Sequence, residues 1–140
     1  VYKLEWLDHL TRYIEKSLKE NKNLVVLGDF NIAPEDRDIY DPEVWKDKVL
    51  CSKQERGALE KLFALGLVDS FRLFEQQDAS YSWWDYRAAA YRRKMGLRID
   101  LILLSTPLAK HCASSTIDES PRSWEKPSDH TPVIVEIDID

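Results

Sequence analysis

A chain of 140 residues, 44 % hydrophobic and 32 % charged, has the length and balance of one folded domain with a sizeable core. No apolar run approaches the ~18 residues that span a bilayer, and no basic region followed by an apolar stretch marks a signal peptide, so membrane spans and disordered tails are not expected. The net charge of −5 weighs against a nucleic-acid partner only if the charge is evenly spread. It is not: Arg87, Arg92, Arg93, Lys94 and Arg98 crowd the segment from Tyr86 to Arg98, which holds no acidic residue. Cys51 and Cys112 lie far apart with no metal-ligand spacing, the pattern of two ordinary reduced thiols. The chain starts at Val1 and enters a helix almost at once, so it is expected to be part of something longer.

In chain order, Leu4, Leu7, Leu10, Ile14 and Leu18 recur at helical spacing and predict an amphipathic helix from Lys3 to Lys19. Asn21-Lys22-Asn23 ends it, and Leu24 to Leu27 predicts a short buried strand. Gly28 breaks that run before Asp29-Phe30-Asn31. Ala33 to Leu50, with Pro34, Pro42 and many charges, predicts a long loop. Ser52 and Glu55 have capping-box spacing; Leu59, Leu62, Phe63 and Leu65 give the apolar side of the next helix, and Gly66 a residue to end it. Leu67 to Leu73 alternates loosely. Tyr81 to Trp84 is strand-like, and the basic loop follows. Arg98 to Leu104 is the clearest strand, with Ile99, Leu101 and Leu103 on one face and Arg98, Asp100, Ile102 and Leu104 on the other. Cys112 to Ile117 and Thr131 to Ile139 predict the last two strands. The mixture suggests an α+β or layered sandwich class.

Three polar segments share one arrangement, each at or beside the end of an apolar strand. Asp29 and Asn31 follow the first strand, Asp100 lies early in the strand ending at Leu104, and Asp129 and His130 precede the last. If these strands are neighbours, three carboxylates, an amide and an imidazole converge at one rim of a sheet, where active sites are commonly built. Hard oxygen ligands of this kind suit Mg²⁺ or Mn²⁺, and phosphodiester hydrolysis needs a positioned water, a cation and donors aimed at the transition state. Taken singly, each residue has an ordinary alternative: Asp29 as a turn residue, Asp100 in a structural ion pair with Arg98 or a neighbour, His130 as a structural histidine, Trp83 and Trp84 as core aromatics. His9 and His111 are assigned no function.

Gly28-Asp29-Phe30-Asn31 and Ser128-Asp129-His130 resemble the GDxN and SDH motifs of the endonuclease/exonuclease/phosphatase superfamily, in the right order. Gly66 to Arg72, Ser82-Trp83-Trp84-Asp85-Tyr86-Arg87, Gly96 to Leu103 and Lys126 to His130 resemble the exonuclease III and apurinic/apyrimidinic (AP) endonuclease branch. The resemblance covers essentially the whole chain. It implies the C-terminal half of a four-layer α/β sandwich, two packed sheets flanked by helices, of deoxyribonuclease I-like fold. It also implies a DNA-repair nuclease of the cytoplasm of a bacterial-type cell, with 3′-to-5′ exonuclease activity and incision 5′ to abasic sites in double-stranded DNA.

By that resemblance, Asp29 would activate the attacking water or protonate the leaving group, and Asn31 would hold water and phosphate. Asp29, Asn31 and Asp129 would be the set that binds Mg²⁺ or Mn²⁺, and His130, paired with Asp100, would donate to the scissile phosphate. Trp83, Leu97 and Ile99 would line the pocket for a flipped-out sugar without its base, and Arg87 and its basic neighbours would lie along the DNA backbone. The family runs to roughly twice this length. Its first half supplies an asparagine, a metal-binding glutamate in a QE-type motif and a tyrosine, whereas Glu5, Glu15 and Glu20 are the only glutamates before Gly28 here and all lie on the first helix. The N-terminal half is therefore expected to be missing, and the isolated chain weak or inactive. The readings from other classes are a non-catalytic half that binds DNA, joins a partner half or self-associates, and a phosphomonoesterase of the same superfamily.

Overall fold

A computed structural model describes residues 2–139 of the chain. The first helix, α1 (Tyr2–Glu20), matches the predicted amphipathic segment and buries Leu7 and Ile14. It leads into β1 (Val25–Asp29), after which the predicted loop contains a 3₁₀ turn at Asp36–Asp38 and one helical turn, α2 (Pro42–Trp45). Helix α3 (Lys53–Ala64) starts at Ser52, whose Oγ accepts the Glu55 N–H at 3.1 Å. Glu55 does not reach back to close a reciprocal box; its carboxylate accepts the Leu50 N–H and the Ser52 hydroxyl instead. Gly66, at φ 102°, reverses the chain in the left-handed region that glycine tolerates.

The remaining strands are short: β2 (Leu67–Asp69), β3 (Trp83–Trp84), β4 (Gly96–Leu97), β5 (Asp100–Ser105), β6 (Cys112–Ile117) and β7 (Val133–Ile137), with one helical turn, α4 (Thr106–Ala109), between β5 and β6. The looser alternation from Leu67 to Leu73 resolves into β2 and a 3₁₀ turn at Ser70–Leu73. β1, β5 and β2 form one antiparallel sheet with β5 in the middle, while β3 pairs with β4 and β6 with β7. The β3–β4 hairpin depends on Gly96, because a Cβ there would lie 2.4 Å from Trp84 Nε1 and 2.6 Å from Tyr81 Cδ2.

Strand β5 is covered on both faces. Leu101 and Leu103 pack with Leu7, Ile14, Leu59 and Leu62 of the two long helices. Ile102 and Leu104 pack with Leu108, Val133, Val135 and Ile137, so the β6–β7 pair forms the layer on the other side. Helices, a three-stranded sheet and a two-stranded sheet thus make three layers among the described residues, with the cores on either side of β5. No helix of the described residues is long and apolar enough to cross a membrane.

The expectation of a buried first strand is corrected. β1 is an edge strand, and only Val26 of its apolar residues packs into the helical core; Val25 and Leu27 are 38 % and 65 % exposed. An apolar run therefore does not report burial on both sides when the second layer stops short of the edge.

Below the sheet's rim, Arg98 is 1 % exposed. Its guanidinium bonds Asp38 at 2.8 Å and Asp69 at 2.5 Å, and lies 4.8 Å from the centre of the Phe71 ring. Its backbone N–H also donates to the Asp38 carbonyl at 2.8 Å. Arg72 adds a second cation on Asp38 and bonds Glu35 at 2.6 Å. Desolvation disfavours the Arg98 charge, but the two carboxylates more than restore it and push the guanidinium pKa up. Arg98 therefore belongs to the interior and is withdrawn from the exposed basic patch.

Neighbouring positions of one ladder should respond very differently to truncation. Leu103→Ala, opposite Val26, should cost ~2–5 kcal/mol in denaturant unfolding as a buried cavity, whereas Leu27→Ala should stay within ~0.5 kcal/mol as a surface change.

Candidate active site

Register brings the first two carboxylates together. β1 and β5 are antiparallel, with Asp29 directly opposite Asp100 at the end of the ladder, so both side chains leave the same face of the sheet. Beyond Asp29 the chain turns sharply: Asn31 has φ 53°, and its N–H donates to Asp29 Oδ1 at 2.9 Å. The turn is fixed from below by Lys3 of α1, whose ammonium bonds both the Asn31 carbonyl and the buried Glu55 carboxylate. The Asn31 side chain is left exposed.

The imidazole arrives from the turn before β7. His130 Nδ1 lies 2.9 Å from Asp100 Oδ2 and Nε2 lies 3.6 Å from Asp29 Oδ2. Ligand atoms of Asp29, Asp100 and His130 all fall within 4.8 Å of one another. The ordinary alternative for Asp100, an ion pair with Arg98, is not what forms: Arg98 turns to Asp38 and Asp69, and Asp100 meets His130.

Asp129 is placed differently from its neighbour. Its Oδ2 accepts the Trp83 indole N–H at 3.0 Å, and its carbonyl accepts the Trp84 N–H at 3.0 Å. One oxygen of the carboxylate is thereby tied down, leaving Oδ1 for another partner. The turn itself is held from several sides. Tyr86 donates to the Pro127 carbonyl at 3.2 Å. Arg122, 8 % exposed and 4.7 Å from the Tyr91 ring centre, bonds the Ser128 carbonyl.

Leu97 and Ile99 are fully buried with Ala33, Ile39 and Cys51, and Trp83 is half-buried against them. They form the floor behind the rim. Arg87 is exposed and bonds its neighbour Asp85 at 2.7 Å, which neutralises part of the basic segment; Arg92, Arg93 and Lys94 make no ion pair among the described residues. Lys3 and Arg122 escaped the sequence reading, and Ser82 entered it only as the first residue of a family-like segment, with no role. Nothing in their spacing marks them, since each acts on backbone or side-chain groups at least six residues away.

The electrostatics follow from burial and pairing. Burial pushes the Asp100 carboxyl up, against the hydrogen bonds from His130 and Ser82 that pull it down. Burial alone would lower the His130 pKa, but the Asp100 hydrogen bond and charge, with Asp29 and Asp129 behind them, raise it. The positively charged form is thereby stabilised relative to an ordinary histidine; in that form Nδ1–H meets Asp100 and Nε2–H faces Asp29. At 3.6 Å that second contact is too long for a hydrogen bond, which leaves Nε2–H free for an oxygen atom entering the gap.

The profile of the Endonuclease/Exonuclease/phosphatase family matches residues 1–130. The chain belongs to this family. Within the endonuclease/exonuclease/phosphatase family it is 38 % identical over 134 residues to exodeoxyribonuclease III of Haemophilus influenzae, covering 91 % of this chain and 50 % of that protein. Among solved structures, a 3′ phosphatase, NExo, from Neisseria, bound to product DNA hairpin, superposes with a TM-score of 0.95 at 45 % identity, covering 99 % of this chain and 54 % of that one. An AP endonuclease from Archaeoglobus fulgidus gives 0.90 at 37 % identity, with 99 % and 54 % covered. The fold is the α+β sandwich of these family members, and the chain spans about half the length of the relatives it matches.

Because the His130 pKa is raised in the fold, the stability this group contributes is complete below the ordinary value of 6.5 and is lost as pH rises through the folded value. Asp100→Asn should bring the His130 titration back down toward 6.5, followed by the ring carbon protons in NMR without added metal. A titration left where it was would show that Asp100 does not set it.

Proposed function

We propose that these 140 residues are the C-terminal half of a DNA-repair nuclease domain, which hydrolyses phosphodiesters from 3′ ends and 5′ to abasic sites. The observation that carries this reading is the Asp29–His130–Asp100 array, with a gap of 3.6 Å between an imidazole nitrogen and a carboxylate oxygen. A phosphate oxygen in that gap would accept the Nε2–H of His130, whose positive charge Asp100 supports. Asp29, held by the Asn31 N–H, is positioned to orient or deprotonate the attacking water, and the exposed Asn31 amide to steady water and phosphate.

Oxygen donors of this type suit a hard divalent cation: Asp29, Asn31 and the Asp129 oxygen not bonded to Trp83 would offer them, while the ligand atoms that lie within 4.8 Å of one another are those of Asp29, Asp100 and His130. Mg²⁺ or Mn²⁺ held there would offset the charge on the phosphate. Of the three residues expected to line a sugar pocket only Trp83, half-buried, has surface to meet a sugar without its base; Leu97 and Ile99 are 0 % and 1 % exposed and back it from the interior. Arg87 and its basic neighbours face double-stranded DNA. The free thiols Cys51 and Cys112 suit a reducing cytoplasm.

A second reading concerns assembly. The coverage of about half of each relative and the exposed Val25 and Leu27 beside the rim support a partner half that closes over β1. In its absence the same strip favours self-association.

At full natural length, the protein should incise an abasic duplex and degrade a recessed 3′ end, and chelation should stop both. Asp29→Asn and His130→Gln should each lower the rate ~10²- to 10⁴-fold in protein that remains folded. Activity confined to phosphomonoesters would overturn the nuclease assignment. The 140 residues alone should nick weakly or not at all; robust Mg²⁺-dependent incision would overturn the two-half reading.

A further inference from the structure

Three successive carbonyls of the turn before β7 each accept a donor from outside the turn. Pro127 accepts the Tyr86 hydroxyl at 3.2 Å, Ser128 accepts the Arg122 guanidinium, and Asp129 accepts the Trp84 N–H at 3.0 Å. Two of these donors belong to the segment that runs from Trp83 into the basic residues. The third is tied to that segment as well, because the Arg122 guanidinium lies 4.7 Å from the Tyr91 ring centre and 5.7 Å from that of Trp84. Those two rings meet edge to face at 5.0 Å. The basic stretch is itself closed by backbone bonds, with Ala90 donating to Arg87 at 3.2 Å, Arg93 to Ala89 at 3.0 Å and Lys94 to Tyr91 at 2.9 Å.

Stability alone does not account for Arg122. The residue is buried, yet no carboxylate among the described residues pairs with it, and its Nε–H finds no acceptor among them. A buried charge without a counter-charge is unfavourable, and an apolar side chain of similar volume would fill the space at less cost. What a guanidinium adds is a flat face that stacks on aromatic rings, together with donors held in fixed directions. Here the two features serve different parts of the chain. The face meets Trp84 and Tyr91, and a donor meets Ser128.

The geometry points to Arg122 as a positioning residue, a strut that makes residues 83–94 and the turn of residues 127–130 one rigid piece. Asp129 and His130 stand on that turn. Arg92, Arg93 and Lys94 stand on that segment, exposed and without an ion pair among the described residues. A nucleic-acid backbone that grips the three cations therefore also fixes the place of the imidazole. Without the guanidinium, Ser128 loses its donor and the turn gains freedom just ahead of Asp129 and His130. The catalytic consequence rests on the nuclease reading; the strut itself rests on contacts within this chain.

The strut is tested first without catalysis, by hydrogen exchange followed in NMR spectra of the full-length protein. Arg122→Lys keeps the charge but loses the flat face and the fixed fork. It should speed exchange of the Trp84 amide and the Trp83 indole proton, both bonded to Asp129, by roughly 10-fold, the contribution of one hydrogen bond. Amides of the β1–β5 ladder should keep their rates. Tyr91→Leu removes a ring and leaves the guanidinium, and it should give the same selective rise even if the lysine variant fails to fold. Unchanged exchange at Trp83 and Trp84, or an equal rise throughout the chain, would overturn the proposal. Abasic duplex added with chelator should slow the Trp84 amide further in the unaltered protein but not in Arg122→Lys; equal slowing in both would refute the transmission. In the cleavage assay Arg122→Lys should lower kcat by up to ~10²-fold, as a misplacement of about 1 Å does. KM should stay unchanged, because Arg92, Arg93 and Lys94 remain; a raised KM with kcat intact would make Arg122 a binding residue and end the strut. Selective exchange without any cleavage in the unaltered protein would sink the nuclease reading and leave the strut standing.

Discussion

The pairing of β1 with β5 is the constraint on which the site depends. Side chains alternate along a strand, so a slip of one residue would turn Asp29 toward the helices and Leu27 out of line with Ile102. What opposes it is the division of β1 between its faces: Val26 packs into the helical core with Leu101 and Leu103, and a slip would lift Val26 out and carry the Asp29 charge in. The carboxylates meet because Val26 is held.

A second tier holds the rim from beneath. Burying an arginine with two aspartates brings little net stability over an apolar equivalent, because three charges lose their hydration. The arrangement around Arg98 instead fixes direction: it binds the loop after Asn31, through Asp38, to the residue two places before Asp100. Lys3 does the same for the opposite side of the Asn31 turn. Charged groups thus orient the segments, and the apolar layers supply the stability that tolerates them.

Much of this was legible in the sequence, for reasons that can be named. The helices were visible because amphipathic periodicity survives wherever one face is solvated, and β5 because Leu101 to Leu104 is a continuous apolar run of strand length between polar ends. Asp29, Asp100 and His130 were visible as polar residues next to apolar strands. What was hidden depends on contacts distant along the chain. Ser82 sits in an aromatic segment and looks like any small residue; only the fold brings the amides of Ile99 and Asp100 to it. Arg98 looked like a surface charge because sequence cannot show that Asp38 and Asp69 come to meet it. The exposure of β1 was misread for the converse reason, since an apolar run carries no record of how far the next layer extends.

Leu27 stands two residues from Asp29 and leaves the same face of the strand, with Val25 beyond it. Any surface that settles on this oily strip comes to rest against the rim of Asp29, Asp100 and His130. Charges at Asp29 and His130 would then act through a less polarisable medium, where each attraction and repulsion is amplified. The apolar strip and the charged rim thus share one face of a five-residue strand, and whatever covers the first sets the medium of the second.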